Sequence, residues 1–155
     1  MDKLSYYYDS PVGRLYIAES DGAITDVGFQ PVMRSTEKKT PLIEKAMDML
    51  QEYFDGKRTE FDLPLNAVGT PFQKKAWAAL QTIPYGQTRS YKEQAEIVGN
   101  PKACRAVGAA NGKNPISVII PCHRVIGTDG SLVGFGGGLD IKRALLDLES
   151  GIMQN

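Results

Sequence analysis

Cys122 stands next to His123, the only histidine in the 155-residue chain, and Arg124 follows directly. A free cysteine has a pKa of about 8.5, so only a few per cent is thiolate at neutral pH unless a base or cation helps. An imidazole and a guanidinium are helpers of that kind. Pro121 restricts the turn that presents the sulfur, and the apolar run at 116–120 gives that turn an anchor in a core. Neighbouring side chains of an extended chain point to opposite faces, so His123 would act on Cys122 through a bend or a water. The same residues equally fit an inert buried cysteine beside a structural histidine. The second cysteine, Cys104, is not in a CxxC pair with the first, and no disulfide framework is expected. With one histidine a zinc site would rest almost wholly on carboxylates, so no metal is expected, and no cofactor either.

Several elements must position this segment. Residues 6–9, 13–20 and 23–29 are expected as strands, with turns at Ser10-Pro11-Val12-Gly13 and Ser20-Asp21-Gly22. Thr40-Pro41 opens a helix that Gly56 ends, with Ile43, Ala46, Met47, Leu50 and Phe54 at helical spacing. Residues 61–69 carry no strong periodicity and are read as a linker. Thr70-Pro71-Phe72-Gln73 and Ser90-Tyr91-Lys92-Glu93 are capping boxes, each starting a helix. The second of these helices stops at Gly99, and Asn100-Pro101 leads into another at about 102–110. That pair suggests a helix-turn-helix. Residues 116–120 are expected as buried extended chain, and 127–130 as a turn into a strand through Phe135. A last helix carries Leu139, Ile141, Leu145, Leu146 and Leu148. The domains are therefore drawn at 1–65 and 66–155.

On the third of the later helices, Arg105, Gly108, Ala109 and Gly112 share one face. A helical glycine costs roughly 1 kcal/mol against alanine, so two on one face imply a close neighbour. Tight helix packing and an approaching nucleic-acid backbone both fit. Net charge is zero, yet between 66 and 126 Lys74, Lys75, Arg89, Lys92, Lys102, Arg105, Lys113 and Arg124 face only Glu93 and Glu96. Such a local field can track phosphates or simply be a solvated surface. No apolar run is long enough to span a bilayer and no signal core opens the chain, so a cytoplasmic protein without membrane association is expected.

The longer string Asn114-Pro115-Ile116-Ser117-Val118-Ile119-Ile120-Pro121-Cys122-His123-Arg124-Val125 resembles the active-site signature of the O6-alkylguanine-DNA alkyltransferases. The likeness continues through Ser90-Tyr91, Gly99 to Ala103, Arg105 to Gly108, Ala110-Asn111, Gly137 to Leu139, Lys142, Leu145-Leu146 and Glu149. It is close over 70–149 and looser over 6–65. The resemblance implies an α/β, ribonuclease-H-like N-terminal domain and a mainly helical C-terminal winged helix-turn-helix domain. It implies direct, irreversible, single-use transfer of an alkyl group from O6-alkylguanine, and from O4-alkylthymine, in double-stranded DNA to Cys122. His123 would deprotonate the thiol through a water, Glu149 would orient His123, and Asn114 would brace the turn. Tyr91 would donate to the flipped base, Arg105 would fill the gap in the stack, and carbonyls of Cys122 and Val125 would accept from the guanine amine. Base flipping follows because a guanine inside a duplex hides its O6 substituent. The recognition helix would enter the minor groove of DNA, with the protein a monomer and cooperative binding along DNA left open.

Two positions depart from the family pattern. Phe135 stands where a tyrosine is usual, and Gly136 where some members carry serine. Both would lie at the base, with only the Gly136 N–H left to reach the guanine oxygen. Two other classes compete with repair. One is a protein that reads alkylated bases without repairing them, but family members of that kind lack the cysteine. The other is a cysteine hydrolase, which leaves the basic helix pair unexplained.

Overall fold

A computed structural model describes residues 2–135 and 137–151. The expectation placed on Gly136 lies outside the described residues. By internal contacts the chain forms two compact units. One comprises the described residues up to Val68 together with Pro115–Ile119, and the other Gly69–Asn114 with the described residues from Ile120 onward.

The first unit is built on a sheet of order β3-β2-β1-β4, with β1 at Lys3–Ser10, β2 at Gly13–Ser20, β3 at Ala23–Gly28 and β4 at Ser35–Glu37. β1 and β2 pair antiparallel through the expected turn, with Tyr8 opposite Leu15 and Tyr6 opposite Ile17. Tyr8, Leu15 and Ile17 are buried, as the period of two requires. Helix α1, Pro41–Phe54, is capped by Thr40, whose hydroxyl accepts from the Ile43 N–H. Its buried residues are Ile43, Ala46, Met49, Leu50 and Tyr53. Met47 and Phe54, expected in that stripe, are only half-buried. Tyr53 continues the 43-46-50-53 spacing, and Phe54 instead packs edge-on against the Tyr53 ring.

β4 was not anticipated. It has three residues and pairs in parallel with β1, a contact without local signal. The expected linker is also tied down. Ile24 donates to the Pro64 carbonyl and accepts from Asn66 N–H, both at 2.8 Å. Ile116 pairs in the same way with Val27, which donates to Pro115 (2.9 Å) and accepts from Ser117 (2.7 Å). Beyond Ile116 the expected extended run is a turn. Ile119 N–H returns to the Ser117 carbonyl at 2.8 Å, and the residue between them, Val118, is held at φ +70°. A β-branched residue there is strained, and burial of Val118 holds it in place.

The second unit runs α2 (Pro71–Leu80), β5 (Arg89–Ser90), α3 (Tyr91–Val98), α4 (Cys104–Gly112), a single 3₁₀ turn (Cys122–Arg124), β6 (Val125–Ile126) and α5 (Leu139–Glu149). Both capping boxes form, Thr70 with Gln73 and Ser90 with Glu93. Gly99 ends α3 at φ +96°, a left-handed cap that favours glycine. α4 begins two residues later than expected and carries no side-chain cap. Ala76, Ala95, Ala103, Val107 and Ala110 form the small-residue core of α2, α3 and α4. The Trp77 indole N–H donates to the Ala110 carbonyl at 2.8 Å. Gln94 and Asn111 exchange paired amide bonds at 2.8 Å between α3 and α4. No helix among the described residues is long and apolar enough to cross a membrane.

The strand expected through Phe135 does not form. The Val133 carbonyl accepts instead from the Tyr91 hydroxyl and the Lys142 ammonium, both at 2.9 Å. Side chains from α3 and α5 have taken an acceptor that a ladder would need.

Candidate active site

The turn that presents Cys122 is fixed from both sides. Pro121 at φ −82°, ψ 66° sits in an inverse γ-turn, with the Cys122 N–H returning to the Ile120 carbonyl at 2.8 Å. The Asn114 amide donates to that same carbonyl at 2.8 Å and also hydrogen-bonds the Cys122 thiol. β5 and β6 pair in parallel, Arg89 with Val125 and Ser90 with Ile126, which sets the start of α3 beside the chain leaving Cys122.

Cys122 is 8 % exposed. Burial pushes its thiol pKa up, against the Asn114 hydrogen bond and the Lys142 charge, which favour the thiolate. The resting group is therefore a thiol. Arg124, expected beside it as a helper cation, is engaged elsewhere.

His123 is fully buried, with Nε2 at 2.6 Å from Glu149 Oε2. Its Nδ1 has no hydrogen-bond partner among the described residues. Burial holds the imidazole below its ordinary pKa, opposed by Glu149 and assisted by the Arg124 and Lys142 charges, so it is neutral at pH 7. Arg124 grips both oxygens of Glu149, Nε at 2.6 Å from Oε1 and Nη2 at 3.1 Å from Oε2. Its Nη1 donates to the Ile83 carbonyl at 2.7 Å, and its guanidinium lies over the Tyr85 ring. Burial alone would raise the Glu149 carboxyl, but the bonds from His123 and Arg124 hold it at about 2. Gly86 completes this end: at φ +81°, a Cβ on it would come 3.1 Å from the Glu149 carbonyl.

Cys122, His123, Glu149 and Asn114 thus meet in one place. Tyr91 and Val125 border it, and both are engaged: Tyr91 with Val133, and the Val125 carbonyl with Lys142 Nζ at 2.6 Å. Phe135 is half-buried on the segment after Val133. Arg105 is exposed on α4, outside this network.

Two participants escaped sequence reasoning. Arg124, expected both as a helper cation for Cys122 and among the phosphate-tracking cations, is instead buried on Glu149. Lys142 is fully buried and ties Val125 to Val133. A lysine flanked at helical spacing by Leu139, Leu145 and Leu146 was the available hint.

The small face of α4 is open. A Cβ on Gly112 would meet nothing within 4 Å, and one on Gly108 would make ordinary contact with the Tyr91 ring at 3.6 Å. Packing inside the protein therefore does not account for these glycines.

Residues 71–151 match the model of the 6-O-methylguanine DNA methyltransferase DNA-binding domain, and residues 4–67 that of the same protein's ribonuclease-like domain. The chain belongs to the 6-O-methylguanine DNA methyltransferase family. Among its relatives in that family, the methylated-DNA–protein-cysteine methyltransferase of Mycobacterium tuberculosis is 49% identical over 146 residues, covering 91% of this chain and 88% of that protein. The constitutive methylated-DNA–protein-cysteine methyltransferase of Bacillus subtilis is 46% identical over 158 residues, covering 94% and 96%. The crystal structure of the M. tuberculosis O6-methylguanine methyltransferase superposes with a TM-score of 0.90 at 45% identity, covering 98% of this chain and 95% of that one. That of M. tuberculosis OGT in complex with DNA gives 0.89 at 46% identity, covering 98% and 94%.

Proposed function

We propose that this methyltransferase repairs DNA by moving the alkyl group of O6-alkylguanine, and of O4-alkylthymine, onto Cys122, once per molecule. One observation carries the reading: a buried thiol is adjacent in the chain to a neutral imidazole whose Nε2 is engaged by Glu149 and whose Nδ1 is unpartnered among the described residues. That is a nucleophile, a base and an orienting group in sequence.

In the transfer the Cys122 sulfur attacks the alkyl carbon, the S–C bond forms and the C–O6 bond breaks. The thiol proton passes through a water to His123, the departing guanine takes a proton at its ring from the Tyr91 hydroxyl, and Tyr91 regains one from solvent as His123 releases its own, so thiol plus alkylguanine become thioether plus guanine. A thioether is a poor leaving group, and the protein is consumed. With the thiol pKa raised by burial, the proton is removed at the moment of attack rather than beforehand. The target base must leave the stack to reach a sulfur this deep. For that base the Tyr91 hydroxyl exchanges its Val133 partner for the purine, and Arg105 fills the gap.

Residues 66–155 form the DNA-binding and transfer domain, a winged helix-turn-helix in which α4 is the recognition helix. Its open Arg105-Gly108-Ala109-Gly112 face suits close approach to a minor-groove backbone. Residues 1–65 form the ribonuclease-H-like domain. The protein works as a cytoplasmic monomer without a cofactor or metal.

Intact mass spectrometry after mixing with a duplex containing one O6-methylguanine tests this. One methyl replacing one hydrogen, mapped to the Cys122 peptide and saturating at one per molecule, is expected. Cys122→Ala should keep duplex affinity and transfer nothing. Binding without any mass gain in the unaltered protein would mark a reader of damage instead.

A further inference from the structure

Arg124 is buried, adjacent to the base, and spent entirely on internal partners. We propose that Arg124 is a positioning residue of the transfer site: its two-point grip keeps Glu149 an acceptor-only carboxylate, which fixes His123 as the tautomer with the proton on Nε2 and the basic lone pair on Nδ1. The inference rests on the proposed reaction only for its consequence, since the tautomer is a property of the free protein.

An ionised carboxylate offers lone pairs and no proton, so a ring nitrogen 2.6 Å from Glu149 Oε2 must carry the hydrogen. A protonated Glu149 could donate to Nε2 and reverse the assignment. Arg124 prevents this by placing Nε and Nη2 on the two oxygens, a fork that matches only the anion. Its third bond, from Nη1 to the Ile83 carbonyl, and the Tyr85 ring under the guanidinium hold the fork in orientation. The opposite tautomer would bury an N–H at Nδ1 with no acceptor among the described residues and set two lone pairs against each other at Nε2.

The charged and titratable groups around His123 are Glu149 and Lys142 from α5, Arg124 and Cys122 from its own turn, and Tyr85, which lies over Arg124. Removing the guanidinium deletes one cation that opposes protonation of the His123–Glu149 pair. The pair then takes up its proton at higher pH, either on the imidazole or as a protonated Glu149 that donates to Nε2.

As His123 is the only histidine, its ring ¹⁵N resonances in the DNA-free protein report on one site. The unaltered protein should show the Nε2–H tautomer at pH 7; an Nδ1–H tautomer would overturn the proposal without any variant. Arg124→Met should raise the pH at which His123 titrates and bring in the Nδ1–H tautomer that a protonated Glu149 imposes. It should also lower single-turnover methyl transfer at pH 7 by at least about tenfold, part of the roughly 10²–10⁴-fold that a positioned general base contributes. The acid limb of the rate–pH profile should move upward with the titration. Arg124→Lys, which keeps a cation but not the fork, should recover part of the titration and of the rate. A folded Arg124→Met protein with unchanged His123 titration and an unchanged profile would refute the assignment. If the Arg124 variants shift the His123 tautomer and titration as expected while the unaltered protein transfers nothing, the reaction falls and the hold of Arg124 on the tautomer stands.

Discussion

His123 and Glu149 are both held below their ordinary pKa values, the first by burial and the second at about 2 against burial by its bonds to His123 and Arg124. Depressed folded pKa values give both groups the same sign of linkage, because the unfolded chain binds protons first as the pH falls. The His123 contribution is fully present above about pH 6.5 and is lost as the pH drops towards the folded value. The Glu149 contribution is present above about pH 4.5, is lost between there and about pH 2, and amounts to something on the order of 3 kcal/mol. Urea unfolding at a series of pH values should therefore show two successive losses of stability on acidification. A flat profile from pH 7 to 5 would mean that His123 is not buried neutral. Glu149→Gln should remove most of the second loss. It should cost about 3–5 kcal/mol at pH 7, since it strands the buried Arg124 charge.

α4 allows a sharper contrast, because the two explanations of its glycines predict opposite signs. Tight packing within the protein would make alanine at Gly108 or Gly112 clash. With open space at Gly112 and ordinary contact at Gly108, alanine should instead stabilise the helix by about 0.5–1 kcal/mol at each position. If α4 is the helix that meets DNA, as proposed, duplex affinity should fall, most at Gly112, where the added methyl faces open space. Thermal unfolding and fluorescence anisotropy on one pair of variants measure both, and a loss of stability with affinity intact would remove α4 from the interface. The elements that sequence reasoning placed well are those whose signals are local: the Thr40 cap, the two capping boxes and the Gly99 stop act within four residues. Those it misplaced depend on distant partners. β4 exists only by pairing with β1, about 30 residues earlier in the chain. The strand through Phe135 is lost to Tyr91, 42 residues from Val133. The turn at 117–119 follows from pairing with Val27, which no property of an apolar run announces. The site divides the same way. Cys122-His123 is contiguous and legible, whereas the engagement of Arg124 by Glu149 spans 25 residues and made a buried clamp resemble a surface cation.

Across the whole chain, neutrality conceals a division. The sequence up to Val68 holds eight Lys and Arg against twelve Asp and Glu, and the sequence from Gly69 onward holds ten against six. Arg124 and Lys142 are buried and take no part in any long-range field, whereas Lys74, Lys75, Lys92, Lys102, Arg105, Lys113 and Arg143 are exposed. Phosphate neutralisation by such cations makes affinity fall with salt, with a slope of about −0.9 per contact on a log–log plot. Duplex binding should thus weaken steeply between low and physiological ionic strength, with undamaged and alkylated duplexes sharing nearly the same slope, because the lesion adds contacts to the base rather than to phosphates. Lys102→Ala or Lys113→Ala should each reduce the slope by about one while leaving the preference for alkylated duplex unchanged. Arg124→Met should leave the slope as it is, since its guanidinium never faces the solvent ions. Anisotropy titrations at four or five salt concentrations separate these outcomes. A slope that responds to Arg124 and not to the exposed lysines would mean that the basic field is read from a different face of the molecule than the one α4 presents.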